Sequence, residues 1–302
     1  MNPVKILLGL TLLATMVAAQ PGPNQTALPA TSVPAPKPVA TPPAPAQTVP
    51  AQSSGAMGTG TTKAPANPAA ANAAPATPLP KPPPNVIFRP TFLTADIAHY
   101  TGMAFRVRSV ATNQDYLVTC HSLFSPTFGL DIQMTADDIA HVIVGAVGVS
   151  CTDRNVIVVA KPYVYVPNAR PADANGAEND LALFRLPARG DEPALLLDPA
   201  PPIIGDRVWI YVKYVGTAKV GLEGATIAWK SDKEIRYLLD NQTADLRLVN
   251  GAPILSSDSE VVGIHIGTFS SKYGRIFGYA CPASSIRALI EPAKKPAKSL
   301  MR

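Results

Sequence analysis

From Val86 onward the chain alternates short apolar, β-branched and aromatic runs with turn residues. The runs are Met103–Val110, Asp115–Thr119, His141–Val149, Asn155–Val166, Leu181–Leu186, Arg207–Val215, Gly224–Lys230, Ile235–Leu239, Ala252–Leu255, Glu260–Gly267 and Arg275–Ala280. Runs of this length, set apart by turn residues and with few helical periods, predict the strands of a sandwich or of barrels. Two places depart from that pattern. Ser122-Leu-Phe124 suits a single helical turn, and Pro282–Ile290 carries apolar Ile286, Leu289 and Ile290 at helical spacing, which predicts a closing helix. The pattern therefore predicts an all-β domain over 86–292, a length that suits one domain.

The first 85 residues are different material. Residues 1–19 read as a secretory signal peptide: Lys5, an apolar run from Ile6 to Val17, then Ala18-Ala19 before Gln20. The run is shorter than the roughly 20 residues a bilayer span needs, so no transmembrane segment is expected after cleavage. Residues 20–85 hold 18 prolines and neither Asp nor Glu. Proline removes backbone donors and alanine has little surface to bury, so nothing offsets the entropy of ordering. A disordered, extended Pro/Ala-rich linker is expected there. Residues 293–302 form a basic tail, expected to be frayed. The localisation implied is secreted or periplasmic.

Charge narrows the partners. The net +5 lies mostly outside the domain, since 22 basic and 21 acidic residues follow from Val86 onward. A near-neutral domain without a basic stripe gives no support for nucleic-acid binding. Cys120, Cys151 and Cys281 make an odd count and are read as small buried hydrophobes rather than a disulfide framework. No metal-ligand cluster, phosphate loop or cofactor fingerprint stands in the sequence, so neither metal nor cofactor is expected.

Three blocks carry the candidate chemistry: Tyr116-Leu-Val-Thr-Cys-His121, Glu178-Asn-Asp-Leu-Ala-Leu-Phe184 and Arg247-Leu-Val-Asn-Gly-Ala-Pro-Ile254. In that order they resemble the His, Asp and nucleophile segments of trypsin-like (chymotrypsin-fold) serine proteases. The first is similar to the family's Val-Thr-Ala-x-His, the second to Asn-Asp-Ile-Ala-Leu, and the third to Gly-Asp-Ser-Gly-Gly-Pro or Gly-Thr-Ser-Gly-Ala-Pro. The resemblance implies two six-stranded antiparallel β-barrels with a short C-terminal helix. Barrel one would run over about 92–188, barrel two over about 200–283, with the site in the cleft between them. It also implies that His121 and Asp180 form a hydrogen-bonded pair in that cleft. Each also has a plainer reading, His121 as a hydrogen-bonded strand-end histidine and Asp180 as a turn aspartate opening a strand.

The third block departs from the family. Asn250 stands at the nucleophile position, and an imidazole cannot convert an amide into an alkoxide. Leu248 replaces the glycine whose N–H helps to bind the oxyanion, and a side chain there is expected to turn the peptide. Val249 replaces the usual Asp or Thr. Loss of one oxyanion donor costs roughly 3 kcal/mol of transition-state stabilisation. No rescue nucleophile is convincing: Cys120 is expected to face the barrel interior, and Ser256 and Ser257 sit in a hairpin turn. The strand Ile264-His265-Ile266-Gly267 resembles the family's pocket wall. His265 is read either as a contact for an acidic ligand group or as a partly buried strand histidine. The expected function is a proteolytically inactive homologue, a pseudoenzyme that binds a peptide or protein in the inter-barrel cleft by strand addition. The alternatives are an active trypsin-like endopeptidase with an unrecognised nucleophile, and a structural envelope protein.

Overall fold

A computed structural model describes residues 77–291 except 162, 188, 189 and 247. The expected signal peptide, most of the expected linker and the expected basic tail lie outside the described residues. The end of the expected linker is packed against the domain: Pro80 is buried, the Lys81 N–H donates to Ser259 Oγ (2.8 Å), and the Asn85 N–H donates to Thr152 Oγ1 (2.9 Å). The domain thus begins near residue 80.

The first half contains β1 (Ile87–Leu93), β2 (Ala98–Tyr100), β3 (Ala104–Arg108), β4 (Asp115–Thr119), β5 (Gly145–Ser150), β6 (Ile157–Ala160), β7 (Tyr163–Val164) and β8 (Ala182–Arg185). The sheet order is β6-β5-β1-β3-β4-β8-β7, with β2 paired on β1. The two ends of this path, β6 and β7, are consecutive in the chain. One segment therefore pairs with β5 through its first part and with β8 through its second, and the Lys161 N–H donates to the Arg185 carbonyl between them (2.7 Å). That curls the antiparallel sheet round on itself. Its interior is aromatic, with Phe92 ring-to-ring at 4.5 Å from Phe124 and 5.6 Å from Phe184.

The second half closes fully. β9 (Arg207–Lys213), β10 (Val220–Lys230), β11 (Ile235–Leu239), β12 (Pro253–Leu255), β13 (Val261–Ser270) and β14 (Ile276–Pro282) form a six-stranded barrel in the order β10-β11-β14-β13-β12-β9. Every ladder in it is antiparallel. Closure leaves no free sheet edge around most of the circumference. Of the two six-stranded barrels expected only the second closes, and the first half is an eight-stranded curled sheet; the expected all-β class with a short C-terminal helix is observed. That helix, here α2 (Ala283–Ile290), reaches back to the first half, where Ser109 Oγ donates to the Ile290 carbonyl (3.0 Å).

Two elements differ from the sequence expectation. β1 begins at Ile87, ahead of the start of barrel one that the resemblance implies, and it holds Pro90, a residue that usually interrupts strands. It is nonetheless in register with Gly148 on β5. The run expected as a strand from His141 opens instead on the end of a helix, α1 (Ala136–Val142). Thr135 caps α1 reciprocally with Asp138, a capping box that the strand reading overlooked. All three cysteines are free and buried.

Candidate functional site

A single glycine fixes how the third block meets the first half. Gly251 has φ +88°, and an added Cβ would lie 2.1 Å from the Met103 carbonyl oxygen and 2.4 Å from Thr119 Oγ1. Only glycine fits this approach. The contact is completed by the Met103 N–H, which donates to the Asn250 carbonyl (2.8 Å), and by Thr119 Oγ1, which donates to the Met103 carbonyl (2.6 Å). Gly251→Ala is expected to destabilise the domain by about 3 kcal/mol or more, read from urea unfolding, since overlap and left-handed strain add. A cost below about 1 kcal/mol would mean that the two halves are not locked here.

The peptide before Asn250 keeps the conformation that suits glycine. Leu248 has φ +58° although it carries a Cβ, and its side chain is 44% exposed. The expected turn of the peptide is therefore not seen: the backbone stays left-handed and the leucine bears the strain. Its carbonyl accepts from Arg89 on β1, whose guanidinium also donates to the carbonyls of Gly102 (2.8 Å) and Lys213. Val249 is buried.

A cleft of about 870 Å³ runs between the two halves. Its polar lining residues include Ser122, Ser125, Thr127, Gln133, Asn250 and Asp180. His121 is not part of this lining. Its ring is fully buried, and Nε2 donates to the Met134 carbonyl (2.8 Å) from the segment that leads into α1. Nδ1 has no hydrogen-bond partner, and burial lowers the imidazole pKa. The structure does not pair His121 with Asp180 through side chains, contrary to the expectation from the sequence.

Ser122 takes the place beside the aspartate. Its N–H donates to Asp180 Oδ1 (2.7 Å), and the Ala172 N–H donates to Oδ2 (2.9 Å). Ser122 Oγ is buried without a bond of normal geometry, though it lies near enough to favour the Asp180 carboxylate. Burial pushes Asp180 up to about 6, against the pull of these backbone donors. The family pattern Val-Thr-Ala-x-His, laid position by position on Val118-Thr119-Cys120-His121-Ser122, also ends on Ser122. The spacing of the motif therefore points to Ser122, whereas residue identity points to His121. The two readings differ by one residue.

Asn250 does line the cleft, and its Nδ2 donates to the Ile266 carbonyl on β13. Of the expected pocket wall, Ile266 and Gly267 line the cleft, whereas Ile264 and His265 are fully buried in barrel two. His265 Nδ1 is hydrogen-bonded to the Tyr237 hydroxyl, and burial drives its pKa down to about 3. A neutral, buried imidazole has no contact to offer an acidic ligand. Beyond Ile266 the strand edge is open. The β12 ladder ends at Ile264, while β14 continues to pair with β13 as far as Ser270.

The arrangement gathers a buried carboxyl, hydroxyls and amides, with no histidine in the cleft lining. No group of three or more His, Cys, Asp or Glu side chains among the described residues is placed to hold a metal ion. Among the described residues no helix is long and apolar enough to cross a membrane.

No family model matches the chain, and no curated protein matches it. Solved structures do. The active form of the Rv3671c protease from M. tuberculosis is 14% identical, with 74% of this chain and 93% of that chain covered at a TM-score of 0.45. Its inactive form is 15% identical, covering 68% and 87% at a TM-score of 0.40. The serine endoprotease from Yersinia pestis is 17% identical, covering 70% and 65% at a TM-score of 0.41. At such identities these similarities identify no acting residue in this chain.

Proposed function

We propose that this chain is an exported, trypsin-like serine protease homologue without hydrolytic activity, whose cleft holds a peptide segment. The observation that carries the reading is the composition of the cleft: Ser122 and Asn250 line it with Asp180, and no histidine does, where a protease of this type needs an imidazole and a hydroxyl. Two positions have changed, so restoring either alone leaves acyl transfer incomplete. The cleft itself is kept, with Gly251, Arg89 and the Met103–Asn250 bond holding its two walls together.

Strand addition is the binding mode that suits what remains. The open edge of β13 over Gly267–Ser270 borders the cleft and offers backbone groups to an extended chain. The Pro/Ala-rich segment would then act as a tether between the export point and the binding domain.

The test is binding and cleavage measured together. A fluorescent random-peptide pool is expected to bind the wild-type chain and to be recovered intact by mass spectrometry after long incubation. Thr268→Trp, at an exposed position lining the cleft, is expected to weaken binding by at least about tenfold with the melting temperature unchanged. Specific cleavage products from wild type would overturn the inactive reading. Binding indifferent to Thr268→Trp would remove the ligand from the cleft.

A further inference from the structure

A second cavity, of about 730 Å³, lies on the other side of Leu248 and Val215, which line both it and the cleft. Arg89, Arg154 and Lys213 line it, and no aspartate or glutamate does. Two of the three cations are fixed in place by carbonyls. Arg89 donates to Gly102, Leu248 and Lys213, and Lys213 Nζ donates to the carbonyls of Cys151 (3.1 Å) and Ala218 (2.8 Å). Carbonyl oxygens satisfy the donors but leave the formal charges uncancelled. Arg154 is exposed, and among the described residues its guanidinium makes no ion pair. Asp153, beside Arg154 in the chain, accepts from the Asn155 N–H (2.9 Å), and Glu223 accepts from the Tyr214 hydroxyl; neither lines the cavity. Three like charges around one concavity with no counter-charge in its wall focus a positive potential into it.

The strand direction says what reaches this cavity. A peptide added antiparallel to β13, as every other strand of that barrel is, runs from Ser270 towards Ile266. It then passes Asn250 and leaves over Leu248, so its C-terminal portion arrives at the cations.

We propose that this cavity is an acidic-segment site: the ligand carries carboxylates C-terminal to the part that pairs with β13, and they are received by Arg89, Arg154 and Lys213. This rests on the peptide-binding reading of the cleft. Arg89 and Lys213 are prepositioned cations, while Arg154 is free to close on the ligand and is the residue whose substitution leaves the fold intact.

The experiment compares random peptide pools of equal length bearing a run of glutamates at the C-terminus, the same run at the N-terminus, or a run of lysines at the C-terminus. Fluorescence anisotropy on the full chain reads the affinities. The C-terminal glutamate pool is expected to bind at least about tenfold tighter than either of the others, with the preference shrinking as salt is raised. Arg154→Glu is expected to erase the preference and Arg154→Lys to retain it, both leaving the melting temperature unchanged. Equal binding of all pools, each still lost in Thr268→Trp, would overturn the acidic-segment site and leave the cleft reading standing. A preference for N-terminal glutamates would overturn it too. Binding of no pool at all would overturn both.

Discussion

Asn250→Ser alone is expected to leave the protein unreactive towards a serine-directed fluorophosphonate, whereas Asn250→Ser combined with Ser122→His is expected to label. The single variant supplies an oxygen but no base. His121 cannot serve, because its ring is buried and its Nε2 donates to the Met134 carbonyl. A histidine at 122 would start from the residue whose N–H already bonds Asp180 Oδ1, and it would face a cleft of about 870 Å³ with room for the ring. A positioned general base contributes typically about 10²–10⁴-fold, so the double variant should exceed the single one by at least about 10². Adding Leu248→Gly should matter less than the sequence suggested, because Leu248 already holds a left-handed φ of +58°. Labelling of Asn250→Ser by itself would mean that some base other than residue 122 reaches position 250. Labelling of wild type would mean that the site was never lost.

The strands were legible where alternation or continuous apolar burial was clean. Asp115–Thr119 and Ile235–Leu239 fall on the observed bounds of β4 and β11. Elements outside those runs were not legible: β1 carries Pro90, which interrupts a strand pattern, and α1 is opened by the Thr135/Asp138 cap, which precedes the run from His141. At the site, Asp180, Asn250, Ile266 and Gly267 were identified as cleft residues and do line the cleft. The error at His121 has a simple physical form. The chain leaves β4 at Thr119, and each further residue re-aims its side chain, so one position separates a ring buried under Met134 from a hydroxyl beside Asp180. Residue identity favoured the histidine, while the spacing in the motif favoured the serine. Likewise His265 sits on a wall strand, but strand alternation is interrupted by the shift in register between His265 and Gly267, and the imidazole ends inside the barrel against Tyr237.

That buried imidazole carries the second large prediction, a pH dependence of stability. His265 is neutral in the folded protein with its pKa driven down to about 3, while in the unfolded chain it titrates near 6.5. Between those values the unfolded state binds the extra proton, so stability falls as the pH drops through this window. The loss amounts to roughly 3 kcal/mol by pH 4, at about 1.4 kcal/mol per pH unit. His121, also buried and lowered, acts in the same direction. Asp180 opposes them. Its folded pKa is raised to about 6, so the folded state holds the proton between about 4 and 6, and stability rises as the pH falls through that range. The wild-type profile between pH 7 and pH 4 is therefore flatter than the two histidines would give without Asp180, and a single curve does not separate the three groups. The difference between wild type and His265→Gln does. Glutamine can still hydrogen-bond the Tyr237 hydroxyl and does not titrate, so whatever it costs at pH 7 is a packing cost. On going to pH 4 the variant is expected to gain on wild type by roughly 3 kcal/mol in urea-unfolding free energy. A difference that stays constant over that range would mean that His265 is not held neutral inside the barrel.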